Sequence, residues 1–216
     1  MLAQAQFIAG IFYIVVLIMS VVIHEFAHGY SAYLLGDNTA RLSGRLTLNP
    51  IKHLDPFGSV ILPLLLILMR TGFIIGWARP VPYNPNNLRK GRIGNFIVAV
   101  SGIVANLAIA IIFGLLIRFA PMLGIPIYNP LSVHPFYQIT SIIVEMNLVL
   151  ALFNIIPIPP LDGSKILFSF IPAKFRQIEN FLEQWGIFLL LFFIIFIWSS
   201  VSPIIFIAFS FLTGLA

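Results

Sequence analysis

The chain has 216 residues, 60% of them hydrophobic and only 9% charged, with a mean hydropathy of +1.04. Soluble domains carry about 25% charged residues, so this composition excludes a water-soluble body and indicates an integral membrane protein. The net charge of +5 comes from dispersed Lys and Arg, which argues against nucleic-acid binding, and the lack of cysteine excludes disulfides and thiolate metal sites.

The first six residues contain no Lys or Arg, so the opening reads as a retained helix rather than a secretory signal. The first span is predicted over 7–35. Its core, 7–23, is wholly apolar or small, and the helix continues through His24-Glu25-Phe26-Ala27-His28 to a stop at Gly36-Asp37. About 28 residues reach roughly 42 Å, enough to cross a bilayer and bring the polar end to its surface. The polar stretch 37–56 contains Arg45-Leu-Thr-Leu48, which alternates and reads as a short strand or extended loop. Residues 57–69 are apolar but too few to span, with Pro63 among them. Ala78-Arg-Pro-Val-Pro82 must be extended, because proline breaks helices.

Further spans are predicted over 95–119, 136–156 and 185–215, with a kink at Pro203. A proline-containing loop, 120–135, joins the first two of these, and a more polar segment, 164–184, precedes the last. Of the twelve Lys and Arg, eleven lie within 41–92 or 165–176, and Arg118 can snorkel to a helix end. The positive-inside rule then places both segments in the cytoplasm and 120–135 outside. That works only if 57–77 returns to the side it left, as a re-entrant or interfacial hairpin. The fold expected is an all-α polytopic membrane protein, one domain over 1–216, with about four full transmembrane helices, this hairpin and short extended segments.

His24 and His28 are one helical turn apart and can reach a single ion, while Glu25 is placed to take a proton from the water such an ion activates. A catalytic zinc wants a third protein ligand and an open position. Asp162 is the best candidate: it lies at the same end as His28, after three unwinding prolines (Pro157, Pro159, Pro160) and before Gly163. The competing reading is the N-cap of a helix starting at Ser164.

Asn154-Ile-Ile-Pro-Ile-Pro-Pro-Leu-Asp162-Gly163 resembles the N-x-x-P-x-P-x-L-D-G motif of site-2 proteases, the intramembrane zinc metalloproteases, and His24 to His28 resembles that family's H-E-x-x-H. Residues 45–50, His53-Leu-Asp55-Pro56 and 76–82 are similar to its small bacterial group without PDZ or CBS domains. The resemblance covers about 14–167. It implies one catalytic Zn2+ on His24, His28 and Asp162, with Glu25 as general base. It also implies a bacterial cytoplasmic membrane with the site near the cytoplasmic face, and a transmembrane protein of the bilayer as substrate. By the same carry-over Asn154 binds substrate backbone or polarises the scissile carbonyl, though a helix–helix hydrogen bond is as good a reading. Gly102 and Asn106 resemble a G-x-x-x-N helix in which Ile103 replaces the usual proline; for Asn106, packing against the zinc helices competes with substrate binding.

His53 could orient Glu25 or a ligand, or be a surface histidine. Asp55 reads as a turn or cap residue. Glu145 lies in mid-span and could pair with Arg118, bond between helices, or lie near the outer surface. Segments 45–48 and 78–83 are candidate edges for holding a substrate in extended form. The alternative from another class is a membrane metal-binding or transport protein without hydrolysis. Against it, the spans carry few polar residues and Glu25 would have no role. An inactive scaffold would not need the intact set His24, Glu25, His28 and Asp162.

Overall fold

The computed structural model describes residues 2–69, 77–129 and 132–215. Helix α1 (Leu2–Leu34) runs unbroken through both histidines. It stops where expected: Gly36 adopts φ +106°, its N–H bonds to Tyr33 O, and Asp37 N–H reaches back to Ala32 O. This is a Schellman closure, which favours glycine because the left-handed conformation crowds a Cβ.

Among the described residues, four helices are long and apolar enough to cross a membrane: Gly10–Leu34, Arg92–Leu123, Pro135–Asn154 and Arg176–Val201. The centre is α4 (Arg92–Phe119), which packs against α1, α5 (Pro135–Asn154), the short α6 (Asp162–Phe170) and α9 (Pro203–Thr213). Buried small residues on α4, among them Gly94, Ala99, Gly102, Ala110 and Gly114, let its neighbours approach closely. One end of the bundle holds an apolar cluster of Ala110, Ile117, Ala120, Tyr137, Val144 and Leu148. The loop at that end forms a 3-10 turn and a two-residue antiparallel ladder, β1 (Tyr128–Asn129) with β2 (Ser132–Val133).

The last predicted span changes. Its helix begins at Arg176, not 185: α7 (Arg176–Phe192) passes through a π-type stretch, Phe193–Ile197, into α8 (Trp198–Val201). The amphipathic first turns of α7, with Arg176, Glu179 and Glu183, read as connector only because their polarity masks a continuous helix. The break expected at Pro203 falls between α8 and α9.

The segment expected as a hairpin leaves and returns at one place. Leu54 and Ala78 form an antiparallel bridge, Arg79 N–H donates to His53 O (2.8 Å), and Trp77 N–H donates to Gly58 O (3.2 Å). A Cβ on Gly58 would strike the Trp77 indole. Asp55 caps the outgoing arm, accepting from Phe57 and Gly58 N–H at 3.1 and 2.7 Å. That arm is a π-type turn, Pro56–Ile61, and α3 (Leu62–Leu68). At ~1.5 Å per residue it covers roughly 20 Å, short of a bilayer core of about 30 Å. The far part of the hairpin, 70–76, lies outside the described residues. Arg45-Leu-Thr-Leu48, expected as a strand or extended loop, forms no ladder among the described residues, bends at Thr47 and Leu48, and follows the short helix α2 (Thr39–Leu42).

Asp37 ties the chain after the hairpin to the end of α1. It is fully buried and accepts from Thr39 Oγ1 (2.6 Å), Thr39 N–H (3.2 Å), Asn84 N–H (2.8 Å) and Asn87 Nδ2 (2.8 Å). Burial disfavours its charge, but these hydrogen bonds outweigh burial and hold the carboxyl below its usual range. A depressed folded pKa gives stability that is present at neutral pH and lost as pH falls through the folded value.

Two outcomes follow. Asp37→Ala leaves buried donors unpaired and lowers stability by about 1–3 kcal/mol per stranded donor, measurable as an earlier unfolding transition in detergent. In a chain without native cysteine, Lys52→Cys and Lys90→Cys react with an impermeant maleimide from one side of a vesicle, and Met122→Cys from the other. Labelling of positions 52 and 90 from opposite sides would show that the intervening segment crosses.

Candidate metal centre

His24 and His28 project from α1 onto α4 at Gly102. A Cβ there would come within 2.6 Å of His28 Nε2 and 2.7 Å of the His24 ring, so only glycine lets the helices close over the pair. The rings are nearly perpendicular, 88° apart, with centroids 4.6 Å from each other. His24 Nε2 and His28 Nε2 are 3.0 Å apart, and each is 2.9 Å from Asp162 Oδ2. All three residues are buried.

Their other ring atoms settle the chemistry. His28 Nδ1 donates to Val98 O at 2.7 Å. His24 Nδ1 faces Asn106 Oδ1 at 2.6 Å. The Asn106 amide is oriented by its neighbours, because Nδ2 donates to Asn147 Oδ1 (2.8 Å) and Ser20 O (3.3 Å). Asn147 in turn donates to Ser20 Oγ (3.0 Å) and Ile143 O (2.8 Å). Asn106 Oδ1 is therefore an acceptor, and His24 Nδ1 carries the proton. Both Nε2 atoms then face one carboxylate oxygen, each able to offer a lone pair to a cation or, when the ring is protonated, a proton to Asp162. Three buried ligand-type atoms within 3.0 Å of one another need a shared proton or a cation among them. Tetrahedral zinc with bonds of about 2.0–2.1 Å sets its ligand atoms roughly 3.3 Å apart, so the set fits that ion with a small expansion.

The approach of Asp162 depends on the proline-rich turn before it. A Cβ on Gly163 would collide with the carbonyl oxygens of Ile155 and Ile156, which explains why glycine follows the acid. α6 starts at Asp162 itself, with Leu161 at the N-cap position. Asp162 is thus not the cap of a helix at Ser164, one of its two sequence readings. Its second oxygen, Oδ1, meets Lys165 Nζ at 3.0 Å. Burial would push this ammonium down, but the Asp162 carboxylate, helped by Tyr83 and Glu25, raises it and keeps it charged.

Glu25 is held from the other side. Its Oε2 accepts Val81 N–H at 2.7 Å. Pro80 and Pro82 flank Val81, so this is the only N–H that the three-residue run possesses. Arg45 Nη2 fixes the run by donating to Arg79 O (2.9 Å) and Pro80 O (3.3 Å). Gly29 provides the space, since a Cβ there would sit 2.7 Å from Val81 Cγ1. Val81 carried no signal as a side chain; a lone donor between prolines, pairing with an acid elsewhere, is visible only in three dimensions.

Other expected site residues fall elsewhere. Asn106 is fully buried among three helices and faces His24 Nδ1, which is the packing role that the sequence offered beside substrate binding. His53 is neither at Glu25 nor on the surface: it is 1% exposed and donates from Nε2 to Thr47 O at 2.8 Å, closing its own loop. Asn154 is half-buried and turns its amide N–H back to Leu150 O (2.9 Å). Glu145 is exposed with no hydrogen bond or ion pair among the described residues, and Arg118, its suggested partner, bonds Phe211 O instead. His134 caps α5. The N–H groups of Arg79 and Val81 are already engaged, so 78–83 offers little edge to a substrate.

A family model described as peptidase family M50 matches residues 118–197. The "Putative zinc metalloprotease YwhC" of Bacillus subtilis (strain 168) is 41% identical over 191 residues, 88% of this chain and 80% of the relative. "Putative zinc metalloprotease Rip2" of Mycolicibacterium smegmatis is 29% identical over 82% of this chain and 64% of the relative; its Mycobacterium tuberculosis counterpart (strain H37Rv) is 30% identical over 72% and 56%. No solved structure matches.

Two substitutions probe the centre through metal content. Gly102→Val drives a branched side chain into both imidazoles and abolishes metal retention in the purified protein. Asn106→Leu frees the His24 ring to turn and weakens metal binding by about 10–100-fold, the usual effect of losing an orienting partner, read by competition with a chelator.

Proposed function

The chain belongs to peptidase family M50, the site-2 protease family, and from that premise we propose that this zinc metalloprotease is an intramembrane endopeptidase. It is a multi-pass membrane protein. The reading assigns His24, His28 and Asp162 as the zinc ligands, Glu25 as the general base and 1–216 as a single catalytic domain. The substrate is a peptide bond in or near a transmembrane segment of another membrane protein.

The observation that carries it is the pairing of both Nδ1 atoms with fixed acceptors, Val98 O and Asn106 Oδ1, which turns both Nε2 atoms to Asp162 Oδ2. A metal ion held there supplies Lewis acidity and lowers the pKa of water bound to it. The chain does the rest. Glu25, next to the first ligand, accepts the proton of the attacking water and passes it to the leaving amine. Val81 N–H keeps one carboxylate oxygen engaged, so the other is presented to the water. Asn154 is the candidate contact for the substrate backbone: its amide N–H is spent on Leu150 O, and its amide oxygen has no partner among the described residues.

The basic segments 41–92 and 165–176 sit at the same end as this site, which supports a cytoplasmic-facing centre in a bacterial cytoplasmic membrane. A transmembrane helix must unwind before hydrolysis, because its carbonyls are occupied by its own hydrogen bonds.

Purified protein with a model transmembrane peptide tests the assignment. Glu25→Gln keeps stoichiometric zinc and loses cleavage by about 10²–10⁴-fold, the range for a general base. Equal turnover by Glu25→Gln and wild type would remove Glu25 from the mechanism.

A further inference from the structure

We propose that Lys165 is a positioning residue of the metal centre: it holds Asp162 Oδ1, confines the carboxylate to coordination through Oδ2, and so keeps a coordination position free for water. The inference rests on His24, His28 and Asp162 being the ligands.

The two oxygens of Asp162 have divided roles. Oδ2 lies 2.9 Å from both imidazole Nε2 atoms, while Oδ1 lies 3.0 Å from Lys165 Nζ. The Asp162 side chain is only 7% exposed, so Oδ1 has little water to turn to if the ammonium is removed. A buried carboxylate oxygen without a partner is costly. Its nearest remedy is rotation towards the ion, which would make Asp162 bidentate. Hydrolytic zinc needs three protein ligands and an open site, and a second oxygen from the same acid would compete for that site.

The lysine is built into place. It stands three residues after Asp162, on the same face of α6. Its ammonium lies 5.8 Å from the centroid of the Tyr83 ring, and Tyr83 donates its hydroxyl to Asn95 Oδ1 at 2.8 Å. No other lysine or arginine forms an ion pair with Asp162 among the described residues. The helix itself does not depend on this bond, since Ser164 Oγ and Ser164 N–H both close its first turn on Leu161 O.

The full-length protein, its Lys165→Met and Lys165→Gln variants, and Lys165→Arg are compared in detergent. Metal stoichiometry is measured first, with His24→Ala as the control that tests the ligand set by itself. The zinc is then replaced by Co2+, whose visible bands weaken when coordination rises from four to five. Expected are near-stoichiometric metal in all three Lys165 variants and weaker cobalt bands in K165M and K165Q. In these two variants kcat falls by about 10–100-fold with KM little changed, and K165R stays close to wild type on both counts. Wild-type cobalt bands in K165M or K165Q, or an unchanged kcat, would overturn the role. Metal retained undiminished in His24→Ala would overturn the ligand reading instead.

Discussion

Three lone-pair donors, buried within 3.0 Å of one another, are the constraint on which the rest of this structure depends. Left without a proton or a cation between them, two imidazole nitrogens and a carboxylate oxygen would repel in a medium that screens poorly. A divalent cation turns the repulsion into coordination. The helices then have two tasks: to bring the atoms together, and to stop the imidazoles from relieving the strain by changing tautomer. Gly102 performs the first by letting α4 lie on the rings, and Val98 O and Asn106 Oδ1 perform the second.

The polar groups in the core therefore form a chain of orientation. Ser20, Asn106 and Asn147 come from α1, α4 and α5, and each amide direction is set by a backbone carbonyl, Ser20 O or Ile143 O. Buried amides are tolerable only when fully paired, so the network locks the three helices in register while it locks the His24 ring. Beneath it, Asp37, Arg45 and Gly29 anchor the run 79–84 against the end of α1, so that one backbone N–H reaches Glu25. Stability and chemistry share the same bonds.

The parts legible in the sequence are those encoded by spacing or by apolar length. His24 and His28 at one helical turn and the Asp162-Gly163 turn after three prolines come together, and the two ends of the 57–77 segment meet. Boundaries set by tertiary contact were less visible. The helix from Arg176 hides behind its polar first turns, because Gly186, packed on Pro159 O, docks it further along. Asn106 had two readings, packing against the zinc helices and substrate contact, because an isolated amide has many uses; its depth and partners display the first. Val81 acts through a backbone atom that every residue but proline has, and its two flanking prolines were read as breakers rather than as a frame. Lys165 was counted as a loop charge, although its spacing of three from Asp162 placed both on one helix face.

Water reaches a site in a membrane only where the packing allows it. At the end opposite the metal, α4, α5 and α9 close over an apolar cluster that includes Ile117, Tyr137 and Val144, all less than 3% exposed. Between that cluster and the histidines lies the amide layer, whose hydrogen-bonding capacity is spent on ligand orientation. Neither layer offers a free polar path. At the metal end the covering elements are a hairpin, a proline-framed extended run and the amphipathic α6, with the ammonium of Lys165 at the rim, its side chain 39% exposed. Irregular backbone is tolerated at membrane depth where it is buried in protein or lines a water-filled cavity. The irregular elements gather where hydrolysis needs water, and the regular helices gather where water must be kept out.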